Sequence, residues 1–164
     1  MPSIKESILQ GTDEVEKEIF KVLDGMDYCL DWKPDAREWS AREVLWHILE
    51  DPEGGIPNNI DAMIKGSLPE LTIIADETHI NAQRQAMDLN DIREELKKFF
   101  ARAREVVGAA TDGQIREVTT SCWFPLRNHR EDRSAQNLLE GLYLRHWRSH
   151  TQQLKDLRKS LGMD

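Results

Sequence analysis

Two histidines four residues apart are the most chemically informative feature of the sequence. They stand in the pentapeptide HWRSH, as His146 and His150. Residues at this spacing share one face of an α-helix, with Cβ atoms about 5–6 Å apart. Two imidazoles in that arrangement can bind one divalent ion at about 2.0–2.1 Å per nitrogen. The spacing alone is a weak signal, because it arises often by chance.

The position of the pair strengthens the metal interpretation. Both histidines fall in the apolar stripe of the last predicted helix, which is Leu139, Tyr143, His146, His150, Leu154, Leu157 and Leu161. An unsatisfied buried polar group costs about 1–3 kcal/mol, so rings in such a stripe need partners. A shared metal would satisfy both rings. The alternative is two core histidines bonded to carbonyls or carboxylates, or standing at a wet cleft.

A third ligand should come from another helix, and His47 is the best candidate. It follows Val44 by three residues and lies among apolar neighbours. A lone histidine in this setting is more often a satisfied core residue, but with the pair it completes a three-histidine site. Such a site leaves coordination positions open for water or substrate, which is typical of catalytic centres. Histidine suits zinc, nickel, copper and iron, and we expect zinc or nickel.

Other polar groups are weaker candidates for the site. Glu43 and Asp51 flank His47 by four residues on either side. Glu43 is also placed to cap its helix, and Asp51 precedes a proline that interrupts the helix. His79 is expected at the surface, although a position lining the cleft stays open. No residue stands out as a general base.

Helical periodicity and caps indicate the elements that would position these residues. Apolar residues recur at steps of three and four in several stretches, and Ser40 with Glu43 forms a capping box. The first predicted helix covers residues 3–25. The second begins at residue 40, is interrupted at 51–57 and has a further piece over 57–65. The third and fourth cover 89–110 and 133–161. Residues 76–87 look helical without a strong stripe, 67–75 reads as a loop, and 111–132 is the least predictable region.

Four long helices without a strong strand pattern predict an all-α fold, an antiparallel four-helix bundle. An irregular, partly helical segment would join helices two and three. The 164 residues suit one domain, spanning residues 1–164, that is large enough to bury a full core.

Two stretches carry a resemblance to a known family. Residues 39–48 (WSAREVLWHI) resemble the helix-two signature of the DinB/YfiT-like superfamily, and residues 146–154 (HWRSHTQQL) resemble its helix-four signature, HxxxHxxQ followed by an aliphatic residue. The resemblance implies an antiparallel bundle with a metal bound by three residues, which carry over to His47, His146 and His150. Some relatives are transferases or isomerases that use a low-molecular-weight thiol, and others are described only as metal-dependent hydrolases.

The sequence therefore predicts a metal-dependent enzyme that acts on a small molecule, as a thiol-dependent S-transferase or isomerase or as a hydrolase. A low-molecular-weight thiol would be the cosubstrate in the first case. One rival is a binding or protection protein that sequesters a small molecule without turnover. A second rival is a structural bundle whose histidines are incidental.

Composition bounds the partners and the compartment. The formal net charge of -8 disfavours nucleic-acid binding. No apolar run approaches the ~18 residues of a membrane span, and the first residues do not read as a secretory signal. Two cysteines without a CxxC spacing fit a reducing, cytoplasmic compartment. A homodimer is left open.

Overall fold

The first two helices begin at capping boxes that the sequence encodes locally. A computed structural model describes residues 1–50 and 55–164. Helix α1 spans Ile4–Leu23 and α2 spans Ala41–Leu49. The hydroxyl of Ser40 accepts a hydrogen bond from the backbone of Glu43, whose carboxylate accepts one from the Ser40 backbone, both at 3.2 Å. The predicted start of helix two is confirmed.

Two short helices and a short strand follow α2, and the next long helix comes after them. They are α3 (Ile56–Ile64), β1 (Glu70–Thr72), α4 (Ala82–Ala86) and α5 (Leu89–Ala109). A proline in its first turn starts α3, where a missing N–H costs nothing. The segment between α2 and α5 is thus irregular and partly helical, as predicted. Helix α6 (Asp112–Glu117) follows α5 directly.

A three-stranded sheet departs from the predicted all-α fold. Strand β1 pairs in parallel with β2 (Thr119–Phe124), which pairs antiparallel with β3 (His129–Ser134). The all-α prediction is wrong in this respect, while the helical bundle itself is as expected. Strand β2 has the β-branched and aromatic residues that favour strands. Strand β1 is only three residues long and β3 is mostly charged, so neither shows a clear apolar alternation.

The last long helix is continuous but not uniformly α-helical. It runs through α7 (Ala135–Leu138), a π-helical segment (Leu139–Arg145) and α8 (His146–Ser160). Residues 133 and 134, which were predicted to be helical, belong to β3 because they pair with β2. The π-helical segment ends where the first histidine of the pair begins α8. Wide turns of this kind occur frequently at functional sites.

The helices bury one hydrophobic core between them. Helix α1 packs against α5 and α8, α2 packs against α8 and α5, and α3 packs against α5. An aromatic cluster lies at the centre of these contacts, formed by Phe99, Phe100, Tyr143 and Trp147. This cluster fixes α8 against α5, and α2 lies on the flank that carries the histidines. None of the helices in the described residues is both long and apolar enough to cross a membrane.

Candidate metal centre

His47, His146 and His150 converge on one point between α2 and α8. The Nε2 atom of His146 lies 3.0 Å from Nε2 of His47 and 3.0 Å from Nε2 of His150. The ligand nitrogens of the three rings all lie within 4.8 Å of one another. Helix geometry explains the pair on α8, since residues four apart share a face. Tertiary packing of α2 against α8 adds the third ring.

Two of the three rings are held from behind by an acceptor. Nδ1 of His47 donates to the backbone carbonyl of Glu77 at 2.5 Å, and Nδ1 of His150 donates to Oε1 of Gln153 at 2.8 Å. The backbone of Leu142, one turn before His146, counters part of the effect of burial on the pKa of His146. A carbonyl oxygen can only accept a hydrogen bond, so the ring nitrogen facing it must carry the proton.

These bonds determine which lone pairs face the centre. A neutral imidazole has one N–H and one lone pair. Because the rear nitrogens of His47 and His150 carry the protons, their Nε2 atoms both present lone pairs to Nε2 of His146. A single proton on Nε2 of His146 could serve only one of these neighbours, so at least one pair of facing acceptors is left to repel each other. The arrangement therefore calls for a positive charge at the centre of the cluster.

The residues fit a divalent ion. Two nitrogens that each lie about 2.0–2.1 Å from one ion can be at most about 4.2 Å apart. The two 3.0 Å separations from His146 fall inside that limit, and the bound of 4.8 Å on the whole set lies a few tenths of an ångström above it. Metal-bound histidines typically donate their other ring N–H to a carbonyl or carboxylate, which fixes the tautomer. The rear contacts of His47 and His150 reproduce that pattern.

Burial keeps the three rings neutral. It is the main cause that lowers the pKa of His146 to about 4, with the neighbouring His150 and His47 adding to the effect. Burial is also the main cause that lowers the pKa of His47 and the pKa of His150 below the usual histidine value. Neutral imidazole is the form that binds metal, so the site is ready for an ion at neutral pH.

An indole ring covers one side of the cluster. The ring of Trp39 stacks on His150 with a centroid separation of 6.1 Å and an interplanar angle of 16°. Its centroid lies 4.8 Å from that of His47 in a tilted arrangement. Trp39 thus contacts histidines from both helices. An apolar ring in this position excludes water and strengthens electrostatic interactions at the centre.

The segment between β1 and α4 supplies the remaining wall. It contains Glu77, whose carbonyl holds His47, and the carboxylates of Asp76 and Glu77 partly counter the burial effect on the pKa of His47. Asp76 and His79 have left-handed backbones, with φ of 63° and 56°. The helix predicted over 76–87 therefore exists only at Ala82–Ala86, because the preceding residues turn to direct their carbonyls at other partners.

A buried arginine on α4 fixes this wall to the end of α2. Nη1 of Arg84 donates to the carbonyl of His79 at 2.7 Å, and Nη2 donates to the carbonyl of Glu50 at 3.0 Å. Both acceptors belong to residues with left-handed backbones, Glu50 at φ 57° and His79 at φ 56°. The guanidinium also lies 4.4 Å from the centroid of the Trp46 ring. Arg84 thereby joins the helix that carries His47 to the segment that holds it.

The weaker candidates lie away from the ring nitrogens or outside the described residues. Glu43 caps α2 and forms an ion pair with Lys33 at 2.7 Å. His79 is half-buried rather than on the surface, and it lies beside the Glu77 carboxylate at 3.9 Å. Asp51 lies outside the described residues.

Four residues that hold or cover the site were not singled out as such from the sequence. Gln153 is the glutamine of the HxxxHxxQ pattern, so the motif contained a signal for it. Trp39 begins the other stretch that carried the resemblance. Glu77 acts through its backbone carbonyl, which every residue type possesses, so no side-chain pattern could have identified it. The role of Arg84 depends on two distant carbonyls and likewise has no local signature.

Comparison with known proteins bears on the fold. The chain is similar to a solved structure described as YfiT from Bacillus subtilis, a probable metal-dependent hydrolase with an unusual four-helix bundle topology. The TM-score is 0.68 at 20% sequence identity, over 98% of this chain and 89% of that chain. The DinB/YfiT-like resemblance of the sequence is thus confirmed at the level of the fold. No family model matches the sequence, and no curated protein matches it.

Proposed function

We propose that this protein is a metal-dependent hydrolase of a small molecule, with one divalent ion held by His47, His146 and His150. The observation that carries the proposal is the convergence of three Nε2 atoms on one point, with the rings of His47 and His150 held from behind. The fold it shares with YfiT, itself described as a probable metal-dependent hydrolase, supports the same class. Zinc and nickel are the ions we expect, because neutral imidazole suits both.

When bound, a divalent ion supplies Lewis acidity that brings the pKa of coordinated water to about 7. The protein's own part is to hold three neutral rings in a fixed orientation. The carbonyl of Glu77 and the amide oxygen of Gln153 keep protons on the rear nitrogens of His47 and His150. Trp39 shields the cluster on one side. Three protein ligands leave coordination positions for water and substrate, which distinguishes a catalytic site from a closed structural one.

The test combines elemental analysis with turnover. Untagged wild-type protein and its three single His→Ala variants are purified in parallel, and their metal content is measured. We expect about one ion per wild-type chain and loss of that ion in each variant. Zinc- and nickel-loaded protein is then assayed against panels of small esters, amides and lactones before and after chelation. Turnover that disappears on chelation and returns with metal supports the proposal.

Three results would reject this function in favour of the alternatives. Full metal content with saturable binding of a small molecule but no turnover would indicate a binding or protection protein. A wild-type chain that neither retains nor takes up zinc or nickel would leave the histidines as packing residues. A reaction that requires an added low-molecular-weight thiol would identify a transferase or isomerase at the same metal centre.

A further inference from the structure

A cavity of about 230 Å³ lies next to the metal centre and is built from α2, α3, β1 and the π-helical segment. Its lining combines apolar side chains with two carboxyl groups. The residues that matter for its chemistry are Glu50, Ile56, Leu71, Ile73, Glu77 and Leu142. We name it the Glu50 cavity, since this side chain lies at the end of the helix that carries His47.

The Glu50 cavity shares a wall with the metal centre. One of its lining residues is Glu77, whose backbone carbonyl holds His47, and another is Leu142, which precedes His146 by one helical turn. Glu50 directly follows α2, the helix that carries His47. A molecule in the cavity would therefore be separated from the histidine rings only by these wall residues.

The cavity is a formed site, because its shape is fixed by contacts that are already made. The left-handed backbones of Glu50 and His79, both of which line it, are held through their carbonyls by the single buried guanidinium of Arg84. Left-handed non-glycine residues persist only where surrounding structure over-determines them, and they cluster at ligand sites. The side chain of Arg84 thus acts as a clamp across the cavity's rim.

The electrostatics of the cavity favour a cation. Burial, and then the negative charge of Glu77, raise the pKa of Glu50 to about 7. No lysine or arginine lines the cavity among the described residues, and residues 51–54 (DPEG) contain none. The histidine of the lining, His79, has its Nε2 atom 3.9 Å from the Glu77 carboxylate. A positive group beside Glu50 would offset both the burial of the carboxylate and its repulsion by Glu77.

We propose that the Glu50 cavity is the substrate-binding site of the metal centre and that it takes a small aliphatic ammonium group, with the cationic nitrogen paired with Glu50. The alkyl part would pack against Ile56, Leu71 and Leu142. The volume lies below the roughly 300–1,000 Å³ of sites for drug-sized ligands, so the bound group is small. The word substrate rests on the proposed hydrolase function, whereas binding of the ammonium group itself requires no metal.

Three probes of one shape test the charge preference. Isopentylamine, isopentanol and isovalerate are titrated at pH 8 into metal-free and zinc-loaded protein with labelled methyl groups, and the methyl spectrum is followed. We expect saturable shifts of the Leu71, Ile73 and Leu142 methyls with the amine. The alcohol should bind at least about tenfold more weakly, which corresponds to about 1.4 kcal/mol, and the acid should bind no more tightly than the alcohol.

Two variants connect the preference to the cavity. Glu50→Gln should weaken amine binding at least tenfold, and Glu117→Gln should leave it unchanged, because it removes the same charge from an exposed position on α6. Thr72→Trp places a large ring on an exposed position of the cavity lining and should block the amine while the rest of the methyl spectrum stays dispersed. Equal binding of acid and amine, unchanged affinity in Glu50→Gln, or shifts confined to another surface would overturn the proposal.

The same titrations separate this proposal from the metal proposal. Amine binding at the Glu50 cavity in a chain that takes up no metal would reject the hydrolase function and support the ammonium site. Stoichiometric zinc binding without amine-induced shifts in the cavity would reject the ammonium site and leave the metal proposal intact. Mutual effects of zinc and amine on each other's affinity would support a shared wall.

Discussion

The amide oxygen Oε1 of Gln153 lies 2.8 Å from Nδ1 of His150, one turn further along α8. This contact gives a physical role to the glutamine of the HxxxHxxQ pattern. It keeps the proton on the rear nitrogen of His150, so that the lone pair on Nε2 faces His146. Because both residues belong to one helix, the local sequence encodes the orientation of the ring.

Gln153→Leu should weaken zinc binding by about 10–100-fold, the usual effect of losing a group that orients a metal ligand. Leucine has a similar size but no acceptor, so the ring can rotate or change its tautomer. Competition with a chromophoric chelator measures the change. Gln152→Leu is the matched control, because that neighbouring glutamine is exposed and hydrogen-bonds to Asp156 instead. Equal losses in the two variants would contradict the assigned role.

His150→Ala should abolish metal binding and retain the helical fold. The hydrophobic core is formed without the histidines, and a chain of this size does not depend on metal for its core as a zinc finger does. Metal analysis and circular dichroism of the variant test both parts. His129→Ala is the control, since that histidine is exposed on β3. Loss of helical signal at room temperature would instead make the ion a structural requirement.

The protein should release its metal at a pH below about 6.5, the pKa of a free imidazole. Protons compete with metal for the three rings, so binding weakens as pH falls. Burial lowers the pKa of all three, and that of His146 to about 4, which delays protonation. Zinc retained after equilibrium dialysis between pH 7 and pH 4 tests this. Release centred above pH 6.5 would contradict the neutral, buried cluster.

Glu50→Gln should stabilise the metal-free protein at pH 8 more than at pH 5. Burial raises the pKa of Glu50 from 4.5 to about 7. A carboxyl with a raised pKa lowers stability as pH rises through that interval, because the unfolded chain releases the proton first. The increase in the free energy of unfolding caused by Glu50→Gln should be larger at pH 8 than at pH 5 by up to about 3 kcal/mol. Urea unfolding at both pH values measures the difference, with Glu117→Gln as the control. An identical gain at both would count against a buried carboxyl with a raised pKa.

Arg84→Met should lower both the stability and the zinc affinity. The change leaves the carbonyls of Glu50 and His79 without their shared donor, and we expect a loss of about 2–4 kcal/mol in the free energy of unfolding. The segment that presents Glu77 to His47 should loosen as a result. Arg84→Lys keeps the charge but not the forked geometry and should recover only part of the affinity. Arg116→Met, at an exposed position, should change neither quantity.

Several helix boundaries and the candidate metal ligands could be predicted from the sequence, because they depend on local interactions. The boundaries of α1, α2 and α5 follow from apolar spacing and from caps such as Ser40, which act over three or four residues. The pairing of His146 and His150 follows from a single helical turn. His47 could be nominated because it is a polar residue in an otherwise apolar stretch.

Contacts between distant residues decided the rest. The parallel pairing of β1 with β2 joins residues about fifty positions apart in the chain, and a strand of three residues has no pattern of its own. The carbonyl of Glu77 reaches His47 across thirty positions, and Arg84 joins Glu50 to His79 by backbone acceptors. Backbone carbonyls occur at every residue, so side-chain identity cannot reveal which of them will be used. For that reason the sequence could nominate the three histidines, while the direction of their lone pairs and the charge of the neighbouring cavity depended on tertiary structure.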